Sequence, residues 1–574
     1  MPAFLPKSAT ATATALFVTL ALALPAVAQE APRGSAGAFL AARVASSEND
    51  YRAAAQWYDR LIDTGVNDPV TLEGSVIAHL GLGEIGRAAE LSRLLVQKGG
   101  RSQTAFIALM ADQVERGDYT GLIADVRAGR SVGKLLDDLV MAWAALGEGR
   151  MSDAVADFDT IAKAPGLEAF GLYHKALALA SAGDFEGADA ILSGAEAGQI
   201  ALMRRGAIAH AQVLSQLERN ADAVALLDRA FGTGPDLQID ALRARLAAGE
   251  PVPFDIVRDA KDGVAEVFYT LASALRGEAE DGYTLIYARV TAWLRPDHTE
   301  ARLMAAGLLE SMGQHVLAGE TYATVPPEDP AYHVAEIGRA DTLTAAGKVD
   351  AALEVLTALT RSHGQLIEVQ SALGDALRRQ ERFAEAIAPY TAAIDLIGTP
   401  EQRHWTLFYS RGITQERSGN FVAAEADFRK ALELNPDQPQ VLNYLGYSFV
   451  DRGENLDEAL GMIQRAVAAQ PEAGYIIDSL AWALFRLGRY DEAVEPMERA
   501  ALLEPVDPVV TDHLGDVYWA VGRKLEARFQ WHRALSFDPE DKDAKRIRRK
   551  LEVGLDAVLA EEGAKPLTEV ANGN

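Results

Sequence analysis

A 34-residue period runs through the second half of this chain and constrains its fold more than any other feature. Gly488 and Ala493 have counterparts 34 residues on, at Gly522 and Ala527. Going back, Gly453 and Ala459 lie 35 and 34 residues earlier, and Gly419 and Ala424 a further 34 and 35. A small residue stands one helical turn before an aromatic in Ala318–Tyr322, Ala386–Tyr390, Ala424–Phe428 and Ala527–Trp531. Leu-Gly precedes an aromatic or leucine at Leu445-Gly446 with Phe449, Leu514-Gly515 with Tyr518, and Leu373-Gly374 with Leu377. Units tend to close on proline, at Pro296, Pro330, Pro436, Pro471, Pro505 and Pro539. Upstream the residues degenerate but the spacing persists, from Ala54 to Ala88 to Leu122 and from Thr284 through Ala318 and Ala352 to Ala386. A repeat of this length is one supersecondary unit that cannot bury its apolar face alone, so neighbours must stack.

Each unit reads as two helices joined by a tight turn. Gly419, Gly488 and Gly522 end the first helix, where the backbone needs positive φ. Gly446, Gly515, Ala424 and Ala493 mark close helix crossings, where a larger side chain would overpack. Phe428, Tyr390 and Trp531 are expected to fill the space between neighbouring units. Asp491 reads as an N-cap. Pro389 and Pro496 share one register beyond the first helical turn, which predicts an outer helix face where a bent turn meets water.

These motifs resemble the tetratricopeptide repeat, most strongly over 401–541. The resemblance implies an all-α chain, a right-handed α-solenoid (superhelix) of about fifteen helix-turn-helix units between 37 and 541. Degenerate repeats are expected over 37–296 and a better-formed array over 297–541. The units at 236–263 and around 284 are the weakest, and Pro251 and Pro253 shorten one of them. The stretch 542–562 reads as a locally basic capping helix, with Ile547, Leu551, Leu555 and Leu559 on one face and solvated charges on the others. The tail 563–574 is expected to be disordered.

The N-terminus reads as a secretory signal peptide over 1–28. Lys7 precedes an apolar run from Ala11 to Leu24, Pro25 breaks it, and Ala26-Val27-Ala28 offers small residues for cleavage. The run is shorter than the ~20 apolar residues of a spanning helix. The mature chain is therefore expected to be exported and soluble, periplasmic if the source is Gram-negative. A net charge of −27 disfavours nucleic acid as a partner, because phosphate contacts need a basic surface. The chain has no cysteine, which removes disulfides, thiolate metal sites, Cys nucleophiles and lipidated cysteine.

Apparent catalytic motifs dissolve in the repeat frame. Gly81-Leu82-Gly83-Glu84-Ile85-Gly86 spells G-x-G-x-x-G, but a dinucleotide site needs a preceding strand, and Gly83 falls at a repeat turn. Ser131-Val132-Gly133-Lys134 matches S-x-x-K without companion motifs. Asp512 and Asp516 share a helix face that reads as solvated, with His513 pointing elsewhere. No metal, no cofactor and no catalysis is expected. A glycan- or peptide-processing enzyme would need a block free of helical repeats, and none of 100 residues exists.

The resemblance also implies where partners bind. In such repeats, set positions of the first helix face a concave groove. Carried over, these are Tyr409, Glu416 and Arg417; Gln440, Asn443, Tyr447 and Asp451; Tyr475, Asp478, Trp482, Phe485 and Arg486; and Asp512, Asp516 and Trp519. Aromatics beside carboxylates suit capture of basic or apolar extended segments. The basic clamp that some members close on a peptide carboxylate is missing, because Asn443, Tyr447 and Asp478 stand at its places. The resemblance to long envelope proteins of this type implies an exported scaffold or adaptor for envelope proteins. An alternative role is delivery of substrates to a C-terminal processing protease, although the lipobox cysteine of the lipoprotein adaptors is absent.

Overall fold

The structure, a computed structural model, describes residues 35–194, 203–232, 236–564 and 566–567. The expected leader and residues 568–574 of the expected tail lie outside the described residues. The described residues form 31 α-helices and no strand. No described helix is long and apolar enough to cross a membrane. The helices pair into hairpins, and the hairpins group into two compact units, Met1–Ala331 and Tyr332–Asn574.

Local sequence sets the hairpin ends. Asp507 accepts from the N–H groups of Val509 and Val510 ahead of Pro508–Ala520, and Pro508 supplies a first residue that needs no N–H partner. Gly488 and Gly522 turn the chain with φ of 75° and 82°, as the repeat spacing requires.

In the second unit the first helices are Tyr332–Ala345, Ile367–Arg379, Trp405–Arg417, Pro439–Arg452, Gly474–Arg486 and Pro508–Ala520. Successive first helices pack on one another, and second helices show no comparable contact. First helices therefore line the inner face of this stack. The aromatics sit within hairpins, not only between them. A Cβ on Gly374 would lie 2.8 Å from the Tyr390 ring, on Gly412 2.6 Å from Phe428, and on Gly515 2.4 Å from Trp531. Glycine on the first helix thus seats an aromatic from the second helix of the same unit. Phe428 also reaches Tyr444 of the next unit, with ring centroids 5.2 Å apart. Gly515→Ala is expected to destabilise this unit by ~1–3 kcal/mol through overpacking against the fully buried Trp531. A urea midpoint unchanged from wild type would contradict that.

Three details differ from the sequence reading. The helix Tyr490–Leu503 starts before Asp491, so Asp491 and Glu492 lie in its first turn and complement the helix dipole instead of capping it. Pro496 is half-buried inside that helix, and Pro389 is buried inside Phe383–Asp395. The register is therefore not a water-facing one. The stretch 542–562 is two helices, Asp541–Val553 and Leu555–Glu561, broken at Gly554 with φ 86°.

The first unit departs further from a simple array. Hairpins run in order to Asn220–Phe231, but Leu237–Ala247 has no second helix. Pro251 and Pro253 keep the next segment extended, and it is pinned to Arg204–Gln216. The Val252 N–H donates to Ser215 Oγ at 2.9 Å and the Asp255 N–H to Gln212 Oε1 at 3.1 Å. The following hairpin, Ala260–Leu275 with Asp281–Leu294, then packs over the first helices Pro69–Leu82, Gln103–Glu115, Lys134–Gly147 and Glu168–Ser181. The two weakest repeats thus include the hairpin that fills the unit's own interior. Gly263 permits the approach, since a Cβ there would lie 2.2 Å from the buried Trp143 ring.

Polar contacts lock this inner hairpin. Glu266, 1% exposed, accepts from Arg205 Nε and Nη2 at 2.9 and 2.8 Å and from Tyr173 Oη at 3.0 Å. Burial pushes the Glu266 carboxyl up, but Arg205 and His298 overcome this and hold it well below the usual carboxylate range. Arg289 Nε donates to the Gly81 carbonyl at 3.1 Å. Tyr51 Oη contacts Met312 Sδ at 3.7 Å and Arg52 pairs with Glu320 at 2.5 Å, so the last hairpin of the unit returns to its second helix.

Candidate functional site

The inner face of the second unit carries the residues expected to line a groove. It is built from stripes one turn apart on successive first helices. Asn443, Tyr447 and Asp451 form one stripe on Pro439–Arg452, and Asp478, Trp482, Phe485 and Arg486 the next on Gly474–Arg486. Asp512, Asp516 and Trp519 follow on Pro508–Ala520.

The carboxylates of the later stripes are internally engaged. Asp478 is buried and lies 2.9 Å from His513 Nδ1 on the next first helix. Burial alone would lower the His513 pKa, but Asp478, then Asp512 and Asp516, raise it above its usual value and favour the imidazolium. Asp512 and Asp516 are not a solvated face. Lys550, fully buried on the terminal helix Asp541–Val553, places Nζ 2.7 Å from an oxygen of each. Arg546 approaches Asp516 at 3.4 Å, and Trp531 Nε1 donates to Asp516 at 2.9 Å. Even so, burial keeps the Asp512 carboxyl above its ordinary value.

The aromatics divide into packed and accessible. Phe485 is buried against Tyr490, ring centroids 5.3 Å apart. Trp482 is half-buried and stacks on Phe485 at 4.7 Å and on His513 at 4.0 Å. Trp519 donates to Asp556 at 2.7 Å and lies against Gly554, so the chain's end partly covers it. Tyr475 is half-buried, and burial and Glu504 push its phenol up. Tyr447 is half-buried, its phenol raised by burial first and then by Asp478, Asp451 and Asp543. Arg486 is exposed and donates to the Asp451 carbonyl at 3.4 Å. Asn443 is buried, and its Oδ1 accepts no hydrogen bond among the described residues.

In the earlier stripes, Glu416 accepts from Tyr444 Oη at 3.1 Å, Tyr409 packs on Phe428 and Tyr444, and Arg417 lies over Phe383 at 5.2 Å. Gln440 accepts from Gln438 at 2.7 Å.

His513, Lys550 and Arg546 were missed as members of this face. The period itself carries the signal: Lys550 lies 34 residues after Asp516, and His513 35 after Asp478.

The other motifs are architectural. Gly83 sits at φ 84° between Pro69–Leu82 and Ile85–Gln97, a helix-turn-helix with no strand before it. Ser131 Oγ donates to Asp137 and Lys134 pairs with Asp138, each at 2.5 Å, so the two are held by separate carboxylates. Among the described residues no group of His, Asp and Glu is placed to hold a metal ion.

The family described as tetratricopeptide repeat matches residues 337–399, 409–474 and 452–509. A TPR repeat-containing protein of Pseudomonas aeruginosa is 29% identical over 186 residues, which are 32% of this chain and 30% of that relative. The chain thus spans under a third of that relative's length. A tetratricopeptide repeat protein from Parabacteroides merdae is similar at 21% identity and a TM-score of 0.37, covering 44% of this chain and 97% of its own. A chain of the APC/C hetero-tetramer Cut9-Hcn1 is similar at 16% identity and a TM-score of 0.38, covering 92% and 97%.

Proposed function

We propose that this chain, which matches the tetratricopeptide repeat family over residues 337–399 and 409–509, is a non-catalytic adaptor holding extended segments of partner proteins on the inner face of its second unit. The observation that carries this reading is a contrast between the two units. In the first, the chain's own hairpin occupies the face that the first helices line. In the second, the main packing of the helices bearing Tyr447, Trp482 and Arg486 is with neighbouring hairpins, among that unit's described residues. Half-buried aromatics flanked by polar side chains suit the capture of peptide segments. The leader-like first 28 residues support a place in the cell envelope for this adaptor.

The test is retention of a nonapeptide library by the full chain. Trp482→Ala combined with Tyr447→Ala is expected to lower total retention at least about tenfold, with the circular dichroism of wild type. Undiminished retention would remove the inner face as the capture site.

A further inference from the structure

We propose that His513 is a protonation-dependent positioning residue of the capture face: its imidazolium clamps Trp482 against Phe485 and thereby sets the pH range over which the face binds. The inference rests on the capture reading above and names what regulates that site.

The geometry makes Trp482 a clamped ring. Its plane lies within 6° of Phe485, centroids 4.7 Å apart, and within 11° of His513, centroids 4.0 Å apart. Two near-parallel rings this close to one indole would collide on a single face, so they take opposite faces. Phe485 comes from the same helix, one turn on, and His513 from the next first helix. With both faces covered, half-buried Trp482 offers the edge of its indole to the groove. A ring fixed in this way captures a segment without first losing rotamer freedom.

The clamp depends on charge. His513 Nδ1 lies 2.9 Å from one Asp478 oxygen and 3.2 Å from the other, and both side chains are buried. Protonated, the imidazole makes a charge-assisted bond to Asp478 and lays a cation on the face of tryptophan, the aromatic that attracts cations most. Neutral, it keeps at most a weaker hydrogen bond, and the stack on Trp482 loses its cationic part. One proton thus ties together the stripes of two adjacent first helices.

The charges around His513 favour that proton. Asp478 faces it from Gly474–Arg486, and Asp512 and Asp516 share its own helix. From Asp541–Val553, Lys550 and Arg546 reach Asp512 and Asp516. On Tyr490–Leu503, Tyr490 packs on Phe485, and Glu498 accepts from Tyr518 and Arg523, each at 2.8 Å. Lys524–Leu535 sends the uncharged Trp531 to Asp516. Burial opposes the imidazolium, but Asp478, then Asp512 and Asp516, outweigh it and hold the group above its ordinary value of 6.5. The clamp is therefore complete below about pH 6.5 and is released as pH rises through the native value.

The test is retention of N-acetylated, C-amidated nonapeptides lacking histidine and cysteine by the full chain between pH 6 and pH 9. Retention by wild type is expected to fall about fivefold over this range. His513→Gln, which can still donate to Asp478 but takes up no proton, is expected to bind at the lower level throughout. Asp478→Asn is expected to move the midpoint down by about one pH unit, a shift that a merely structural role would not produce. The emission that Trp482→Phe removes should rise with the wild-type midpoint, because an imidazolium against an indole quenches it, and should stay level in His513→Gln. A level wild-type profile, or a fall that keeps its midpoint in His513→Gln or Asp478→Asn, overturns the clamp alone. No retention at any pH overturns the capture reading and the clamp together.

Discussion

Lys550→Met is expected to destabilise the C-terminal end of the second unit by ~3–5 kcal/mol, the usual effect of breaking a buried ion pair. The volume is nearly conserved, so little of this is a cavity. What remains is two buried carboxylates, Asp512 and Asp516, with Arg546 4.0 and 3.4 Å away and the His513 imidazolium as the remaining nearby cations. Burial already pushes the Asp512 carboxyl up with Lys550 in place, so removal of that cation drives Asp512 further toward the protonated form. A raised acid pKa means that native stability is full below the unfolded value, about 3.9, and falls as pH rises through the native one. The deficit of Lys550→Met should therefore be larger at pH 8 than at pH 5. Urea unfolding at the two values measures this, and hydrogen exchange over 508–553 locates it. Adding Asp512→Asn and Asp516→Asn should recover part of the loss. Exchange and midpoint unchanged from wild type would show that the terminal helix is held by its apolar face alone.

Glu266→Gln is expected to loosen the inner hairpin of the first unit at a similar scale, ~3–5 kcal/mol, because it leaves the buried Arg205 guanidinium with the more distant Glu300, 3.3 Å away, as its remaining carboxylate. Exchange should accelerate most over 260–294. The pH dependence runs opposite to that of Lys550→Met. Glu266 has a depressed pKa, so its contribution is complete above the unfolded value of about 4.3 and is lost as pH falls toward the native value. Wild type should lose stability on acidification through this range, and Glu266→Gln should lose less. Equal acid sensitivity would mean that other carboxylates govern the first unit.

The inner face was only partly legible in the sequence. Period and register placed Asn443, Tyr447, Asp478, Trp482 and Asp512 on first helices, because side-chain direction follows from helical geometry. Which of them remain open depends on partners 34 to 38 residues away, and a single-unit register says nothing about those. His513 looked peripheral because its own helix was considered alone. Across the hairpin boundary it meets Asp478 and stacks on Trp482. The terminal helix looked like a solvated cap for the same reason, since its many charges conceal the one that is buried.

By itself, the sequence determined the all-α hairpin architecture, the glycine turns and the placing of the groove candidates on first helices. These depend on contacts within one unit or between neighbours, and a repeat spells such contacts out every 34 residues. Only the tertiary structure decided that the hairpin Ala260–Leu294 closes the first unit from inside and that Lys550 closes the last stripe of the second. Both are long-range choices between equally apolar or equally charged surfaces. They are settled by which group fills the space beside Trp143 and which cation reaches Asp516, and no local pattern encodes that.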